Sequence, residues 1–189
     1  YPGMEKFFSP SKLILSGNPV RKDLIDISGK KAAAAQLFGL SADKPTILII
    51  GGSQGARSIN HAILHGLETL ANSDVQIVWQ TGKGYIETAR SQASNFPNVK
   101  VFDFISRMDL AYAVSDCIIS RAGASSVSEI QIIGKPCVLV PSPNVAEDHQ
   151  TKNAMALVNK KAALLVKDIE AKNTLINTSI DLMKNETLQ

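Results

Sequence analysis

The chain has 189 residues, 44% of them apolar and 5% aromatic, with 20 basic against 17 acidic side chains and a formal net charge of +3. That length buries a sizeable core and suits one α/β domain plus terminal segments, and the Val, Ile, Leu and Ala content excludes a disordered chain. The basic excess is small and not gathered into one run, so nucleic acid is not an expected partner, while an anionic membrane surface or a phosphate ligand stays compatible with it.

The start, Tyr1-Pro2-Gly3-Met4-Glu5-Lys6, has neither an initiator Met nor signal-peptide character, so the chain is expected to be cut from something longer. Residues 1–16 are expected to be a segment arriving from another domain. Next, Ser16-Gly17-Asn18-Pro19-Val20-Arg21 is turn chemistry ending on an arginine, and the alanine-rich stretch 30–38 predicts a helix stopped by Gly39. Six short apolar runs then predict strands over 46–50, 75–80, 99–102, 117–120, 137–141 and 163–166. Helical patterns between them predict helices over 57–70, 85–93, 107–114, 126–133, 148–160 and from 171 onward. No apolar run approaches the roughly 18 residues that a membrane-spanning helix needs.

Repeated βα units of this kind predict a doubly wound, mostly parallel six-stranded α/β sheet of Rossmann-like form, with helices on both faces. Ligands of such sheets sit beyond the carboxyl ends of the strands. The loops expected there are 51–56, 81–84, 103–106, 121–125 and 142–147.

Of these loops, Ser120-Arg121-Ala122-Gly123-Ala124-Ser125-Ser126-Val127-Ser128-Glu129 is the most informative. Small residues leaving a buried strand and opening a helix let a ligand approach backbone, and the helix start offers free N–H groups to an anion. Glu129, one turn in, could face a sugar on the same ligand, which suggests a nucleotide. The same Ser126-x-x-Glu129 spacing is also a capping box, which needs no ligand. Both readings are open at this point.

Gly51-Gly52-Ser53-Gln54-Gly55-Ala56 follows a strand and permits close approach of a diphosphate, but it lacks the Gly-Lys-Ser/Thr ending of an ATP-hydrolysing loop and the Gly-x-Gly-x-x-Gly of a dinucleotide site. Tight helix–strand packing with no ligand is the other reading of this loop. Lys83 in Thr81-Gly82-Lys83-Gly84 is a minor phosphate candidate on what reads as a turn. In Asn144-Val145-Ala146-Glu147-Asp148-His149-Gln150-Thr151-Lys152-Asn153, Gln150 and Asn153 share a helix face, the arrangement needed to read neighbouring sugar hydroxyls, though such residues also cap helices.

His61 and His65 are four apart, but the apolar stripe Ile59, Ala62, Ile63 and Leu67 leaves them on the polar side with Asn60 and Glu68, as solvated surface rather than a metal pair. Cys117 and Cys137 stand alone in apolar runs and read as buried reduced thiols. There is no Asp-x-Asp to hold a divalent ion, so no metal is expected, and diphosphate charge is expected to be met by Arg21 and helix N-termini.

Gly17-Asn18-Pro19-Val20-Arg21, Gly51 through Ala56, Gln80-Thr81-Gly82-Lys83, Phe104-Ile105 with Met108, Ser120 through Ala124, Val127-Ser128-Glu129 and Asp148-His149-Gln150-x-x-Asn153-Ala154 together resemble one family, in consistent order over residues 1–166. It is the bacterial peptidoglycan N-acetylglucosaminyltransferase family, which moves N-acetylglucosamine from its UDP donor onto undecaprenyl-diphosphate-linked muramoyl-pentapeptide. Its members have two Rossmann-like domains of the glycosyltransferase B type, and the chain resembles only the C-terminal, donor-binding one, here residues 17–189 with a C-terminal helix.

The resemblance implies that Arg21 and Ser53 serve the diphosphate, that the Ile105 backbone meets uracil, and that Ala124, Ser125, Ser126, Val127 and Ser128 wrap the nucleotide. It further implies that Glu129 holds the ribose hydroxyls and that Gln150, with Asn153, reads the sugar. No residue of the chain is expected to be catalytic, because the base belongs to the absent domain along with the lipid-linked acceptor's site. The implied chemistry is inverting, independent of metal and of any cofactor, with UDP-N-acetylglucosamine as ligand, and the implied location is the cytoplasmic face of the bacterial membrane. Two other readings stand beside it, a related UDP-sugar transferase or epimerase and a non-catalytic nucleotide-binding module.

Overall fold

Alternation within buried strands sets the architecture. In the strand Thr46–Ile50 (β1) all five residues are buried, Ile47 and Ile49 packing into one apolar cluster and Leu48 and Ile50 into another. A strand that is apolar on both sides has to be covered on both sides. The computed structural model describes residues 4–14 and 16–184 and has that double cover.

The other strands are Gln76–Gln80 (β2), Val99–Phe102 (β3), Cys117–Ser120 (β4), Cys137–Leu139 (β5) and Leu164–Leu165 (β6). Every pairing is parallel, and the order is β3-β2-β1-β4-β5-β6. The helices are Lys31–Phe38 (α1), Arg57–His65 (α2), Leu67–Ala71 (α3), Ile86–Ala93 (α4), Met108–Val114 (α5), Ala124–Ile133 (α6), His149–Val158 (α7) and Ala171–Lys184 (α8). One face of the sheet is packed by α2, α3, α4 and α8 through residues such as Ile63, Leu70, Ala89 and Leu175. The other is packed by α1, α5, α6 and α7 through Phe38, Tyr112, Val127 and Leu157. The doubly wound parallel sheet read from the sequence is therefore what forms.

Local bounds are corrected at several elements: the strand expected over 163–166 is only Leu164–Leu165, the helix expected to reach 160 ends at Val158, and α1, β2, α4 and α5 each begin one residue later than expected. The helix expected over 57–70 divides into α2 and α3 at Gly66, where a Cβ would lie 2.6 Å from Ile176 Cγ1, so α8 packs directly against the break. The helix expected from Ser126 begins two residues earlier, at Ala124. The helix expected from Asp148 starts at His149, because Asp148, like Glu147, is in the left-handed region. The strand expected over 137–141 ends at Leu139, although the Val140 N–H still donates to the Ser120 carbonyl at 2.8 Å.

Of the expected connecting segment 1–16, residues 1–3 and 15 lie outside the described residues. The remainder carries two short 3-10 turns, Met4–Lys6 and Pro10–Lys12, and residues 5–12 are exposed. Residues 185–189 of the expected C-terminal helix also lie outside the described residues.

The start of α5 is pinned by a buried carboxylate. Arg107 donates from Nε and Nη2 to Asp109 at 2.9 and 2.8 Å, and the Lys30 ammonium lies 3.7 Å away, joining the start of α1 to α5. The Arg107 hydrogen bonds hold the Asp109 carboxyl down to about 2, against an ordinary 3.8. A carboxylate with a depressed folded-state pKa contributes stability that is present above its ordinary value and lost as the pH falls through its folded one. Asp109→Asn is expected to lower stability by about 2 kcal/mol at pH 7. In urea denaturation at stepped pH that deficit should shrink between the ordinary 3.8 and about 2, whereas a pH-independent deficit would contradict the assignment.

Candidate functional site

The chain runs outward from β1 to β2 and β3, then returns to place β4 on the other side of β1. At such a reversal the loops leaving two neighbouring strands diverge to opposite faces and open a crevice at the carboxyl ends. Among the helices that start on this edge are α2 after β1, α6 after β4 and α7 after β5. Their cap residues, Ala56, Gly123 and Asp148, make no side-chain cap hydrogen bond. The first-turn N–H groups and the positive ends of the helices are thereby left for an anion.

The floor of the crevice is built from backbone in direct contact. Gly55 and Gly82 both have positive φ, and a Cβ on Gly55 would sit 1.9 Å from the Thr81 carbonyl oxygen, one on Gly82 2.3 Å from that of Gln54. The loops after β1 and β2 interlock where only glycine fits. Asn60 braces the contact from beneath, donating to Thr81 O at 2.8 Å and accepting from Trp79 Nε1 at 3.1 Å. It is 1% exposed, which corrects its expected place on the polar side of the helix. Gln80, also buried, donates to Gly52 O at 3.0 Å and accepts from the Ile105 N–H at 2.8 Å, coupling the glycine turn to the loop after β3. The Ile105 N–H is thereby engaged within the fold. Ser53 and Lys83 are exposed on the two loops.

On the other wall, residues far apart in sequence meet on α6. Asn18 Nδ2 donates to Ser128 Oγ at 2.9 Å, and Ser128 Oγ donates to Ala124 O at 2.9 Å. Arg21 reaches Glu129 through Nε at 3.2 Å to Oε1 and through Nη2 at 3.0 and 3.2 Å to Oε1 and Oε2. Tyr112 donates from below to Glu129 Oε2 at 2.9 Å. The capping box does not form: Gly123, not Ser126, is the cap, and the Glu129 carboxylate is turned toward Arg21 and Tyr112. Val127 is buried in the core, while Ser125 is exposed and Ala124 and Ser126 are half-buried.

Gln150 and Asn153 both come to this edge but are partly engaged by backbone. Gln150 Oε1 accepts from the Ser142 N–H at 2.9 Å, and Asn153 Nδ2 donates to Ala122 O at 3.1 Å. Sequence reasoning gave no role to Arg121, although it stands in the central motif. Its guanidinium donates to the Val140 and Pro141 carbonyls at 3.0 and 3.2 Å and to Ser58 Oγ at 2.8 Å, and it pairs with Asp168, tying α2, the segment just after β5 and the segment before α8 to the end of β4. Gln80, Tyr112 and Asn18 were likewise unassigned. The available signal was polarity in apolar company, with Gln80 closing a buried strand and Tyr112 in the middle of a buried helix.

His61 is exposed and its Nε2 lies 3.1 Å from the Tyr85 hydroxyl, and among the described residues no group of three or more His, Cys, Asp or Glu side chains converges as a metal site. Cys117 and Cys137 are free and buried, and burial pushes both thiols up to about 12. Among the described residues no helix is long and apolar enough to cross a membrane.

The profile described as "Glycosyltransferase family 28 C-terminal domain" matches residues 46–189. A curated relative from Cytophaga hutchinsonii, named UDP-N-acetylglucosamine--N-acetylmuramyl-(pentapeptide) pyrophosphoryl-undecaprenol N-acetylglucosamine transferase, is 51% identical over 100% of this chain and 51% of its own length. The protein of the same name from Phocaeicola vulgatus is 53% identical over 100% of this chain and 51% of its own. The crystal structure of Acinetobacter baumannii MurG superposes with a TM-score of 0.71 at 31% identity, covering 95% of this chain and 51% of that one. The chain spans about half the length of the curated relatives it matches.

The interlocked glycines make a direct prediction. Gly55→Ala is expected to destabilise by about 2–4 kcal/mol in urea denaturation, from left-handed strain plus the clash with Thr81. Gly84→Ala, where a Cβ meets nothing within 4 Å, is expected to be near neutral. Equal effects at the two positions would contradict the interlock.

Proposed function

The chain belongs to the glycosyltransferase family 28 C-terminal domain family, and from that premise we propose that it is the donor-binding half of an enzyme that transfers N-acetylglucosamine from UDP-N-acetylglucosamine to undecaprenyl-diphosphate-linked muramoyl-pentapeptide in peptidoglycan synthesis. The observation that carries this reading is the meeting of Asn18 with Ser128 and of Arg21 with Glu129 beside the uncapped start of α6, at the reversal of strand order. A UDP moiety fits the chemistry of that edge: an exposed guanidinium and the starts of α2 and α6 for the diphosphate, a carboxylate for the ribose diol, and the Ile105 carbonyl for the base. Ser53 in the glycine turn supplies a further donor to phosphate. Gln150 and Asn153 are the candidates for the sugar itself, each with a polar atom beyond the one bonded to backbone. Ala124, Ser125 and Ser126, with the backbone of Val127, would form the nucleotide's wall.

In the proposed reaction the acceptor hydroxyl attacks the anomeric carbon with inversion, and the base that assists it lies on the half of the protein outside this chain. The donor half then acts on the leaving group. Negative charge developing on UDP is met by the N-termini of α2 and α6, which are oriented in advance, and by Arg21 once it has turned from Glu129 to the bound diphosphate. The lipid-linked acceptor implies work at the cytoplasmic face of the membrane, reached through the other half. The same division predicts that the chain alone binds donor without transferring sugar.

Isothermal titration with UDP and UDP-N-acetylglucosamine is expected to show binding by the chain, and Glu129→Ala is expected to weaken it by about tenfold or more while remaining folded by thermal unfolding. Unchanged affinity in that variant would contradict the ribose assignment. Competition with UDP-glucose and UDP-N-acetylgalactosamine checks the sugar, with UDP-N-acetylglucosamine expected to compete best.

A further inference from the structure

We propose that Tyr112 positions the Glu129 carboxylate for the donor's ribose hydroxyls, as a permanent partner on one side while Arg21 is an exchangeable partner on the other. The inference rests on the donor-site reading above and assigns a role to a residue outside the crevice lining.

Tyr112 is fully buried, its ring packed in the core cluster on the α5 and α6 side of the sheet. Packing alone would be served by phenylalanine, yet a hydroxyl emerges from that core directly under a carboxylate, 2.9 Å from Oε2. Burial, and then the charge of Glu129, push the Tyr112 hydroxyl well above its ordinary range, so it stays protonated and remains a donor. The ring cannot swing away without opening the core.

Arg21 differs in every respect. Its side chain is 44% exposed against 14% for Glu129, and it approaches from the segment that precedes α1. A guanidinium fork binds carboxylate and phosphate with similar geometry, so an arriving diphosphate competes for it. A carboxylate has about four acceptor positions. Once Arg21 turns to the diphosphate, Oε1 and the outer side of Oε2 are open to two hydroxyls, and Tyr112 still fixes the plane in which they are presented. Without that donor the carboxylate is free to rotate, and orientation has to be supplied at binding.

The test is a set of titrations of UDP and 2′-deoxy-UDP into the wild-type chain, Tyr112→Phe, Glu129→Ala and the double variant, with thermal unfolding to establish that each is folded. Tyr112→Phe is expected to weaken UDP about three- to tenfold, to weaken 2′-deoxy-UDP less, and to add nothing in the Glu129→Ala background. Tyr112→Met, which also lacks the hydroxyl and adapts to an irregular cavity, is expected to repeat the pattern and serves where the phenylalanine variant does not fold. Wild-type affinity in both hydroxyl-free variants, an equal loss for the two nucleotides, or a loss that persists without Glu129 would overturn the positioning role while leaving the donor site intact. Absence of UDP binding by the wild-type chain would overturn both.

Discussion

A strand with no free edge and no solvent face is the constraint from which the rest follows. β1 pairs with β2 on one side and β4 on the other, and its side chains feed both apolar clusters, so helices have to cross on both faces. Parallel pairing on both edges in turn forces each connection to pass over the sheet and re-enter at the same end. The chain turns outward on one side and then on the other, and the loops after β1 and β4 are left facing each other across a crevice. The position of the candidate site is thus a consequence of how the core is buried.

What fills that crevice comes from separate parts of the sequence. The glycine turn after β1 is held by contact with the loop after β2 and by Gln80 and Asn60 beneath it. Opposite, the Gly17 to Arg21 segment is strapped to α6 by Asn18 and Arg21, while Arg121 draws the end of β4 toward α2 and the segment before α8. Buried polar side chains such as Asn60 and Gln80 do the bracing, Ser53 is exposed, and Arg21 holds Glu129 from the solvent side. This division is what a donor site requires, because groups that bind a charged leaving group are effective only when their orientation is set in advance.

The sequence made the sheet legible because buried parallel strands are short apolar runs, and β1, β3 and β4 begin and end where those runs do. Edges and breaks were less legible. Gly66, where α2 gives way to α3, leaves no room for a Cβ beside Ile176, a residue more than a hundred positions on, and no local pattern announces that contact. The capping-box alternative fails for a related reason. Ser126 and Glu129 fit the local rule, but Glu129 finds stronger partners in Tyr112 on the neighbouring helix and Arg21 on the entering segment, and a glycine takes the cap. The resemblance to a family brought Arg21 and Glu129 into one site without showing that they touch. Arg121 was hidden because its partners, Asp168 and Ser58, lie on elements that only the fold brings together.

The central claim is that a uridine diphosphate occupies the crevice between the carboxyl ends of β1 and β4 with its ribose on Glu129. A crystal structure of the chain with UDP tests it most directly. The account predicts the ribose hydroxyls within hydrogen-bond distance of the Glu129 carboxylate, Tyr112 still bonded beneath, Arg21 withdrawn to the diphosphate, and the phosphates against the starts of α2 and α6. A nucleotide bound elsewhere, or bound there with the Arg21 to Glu129 pair intact and the ribose out of reach of the carboxylate, would contradict it.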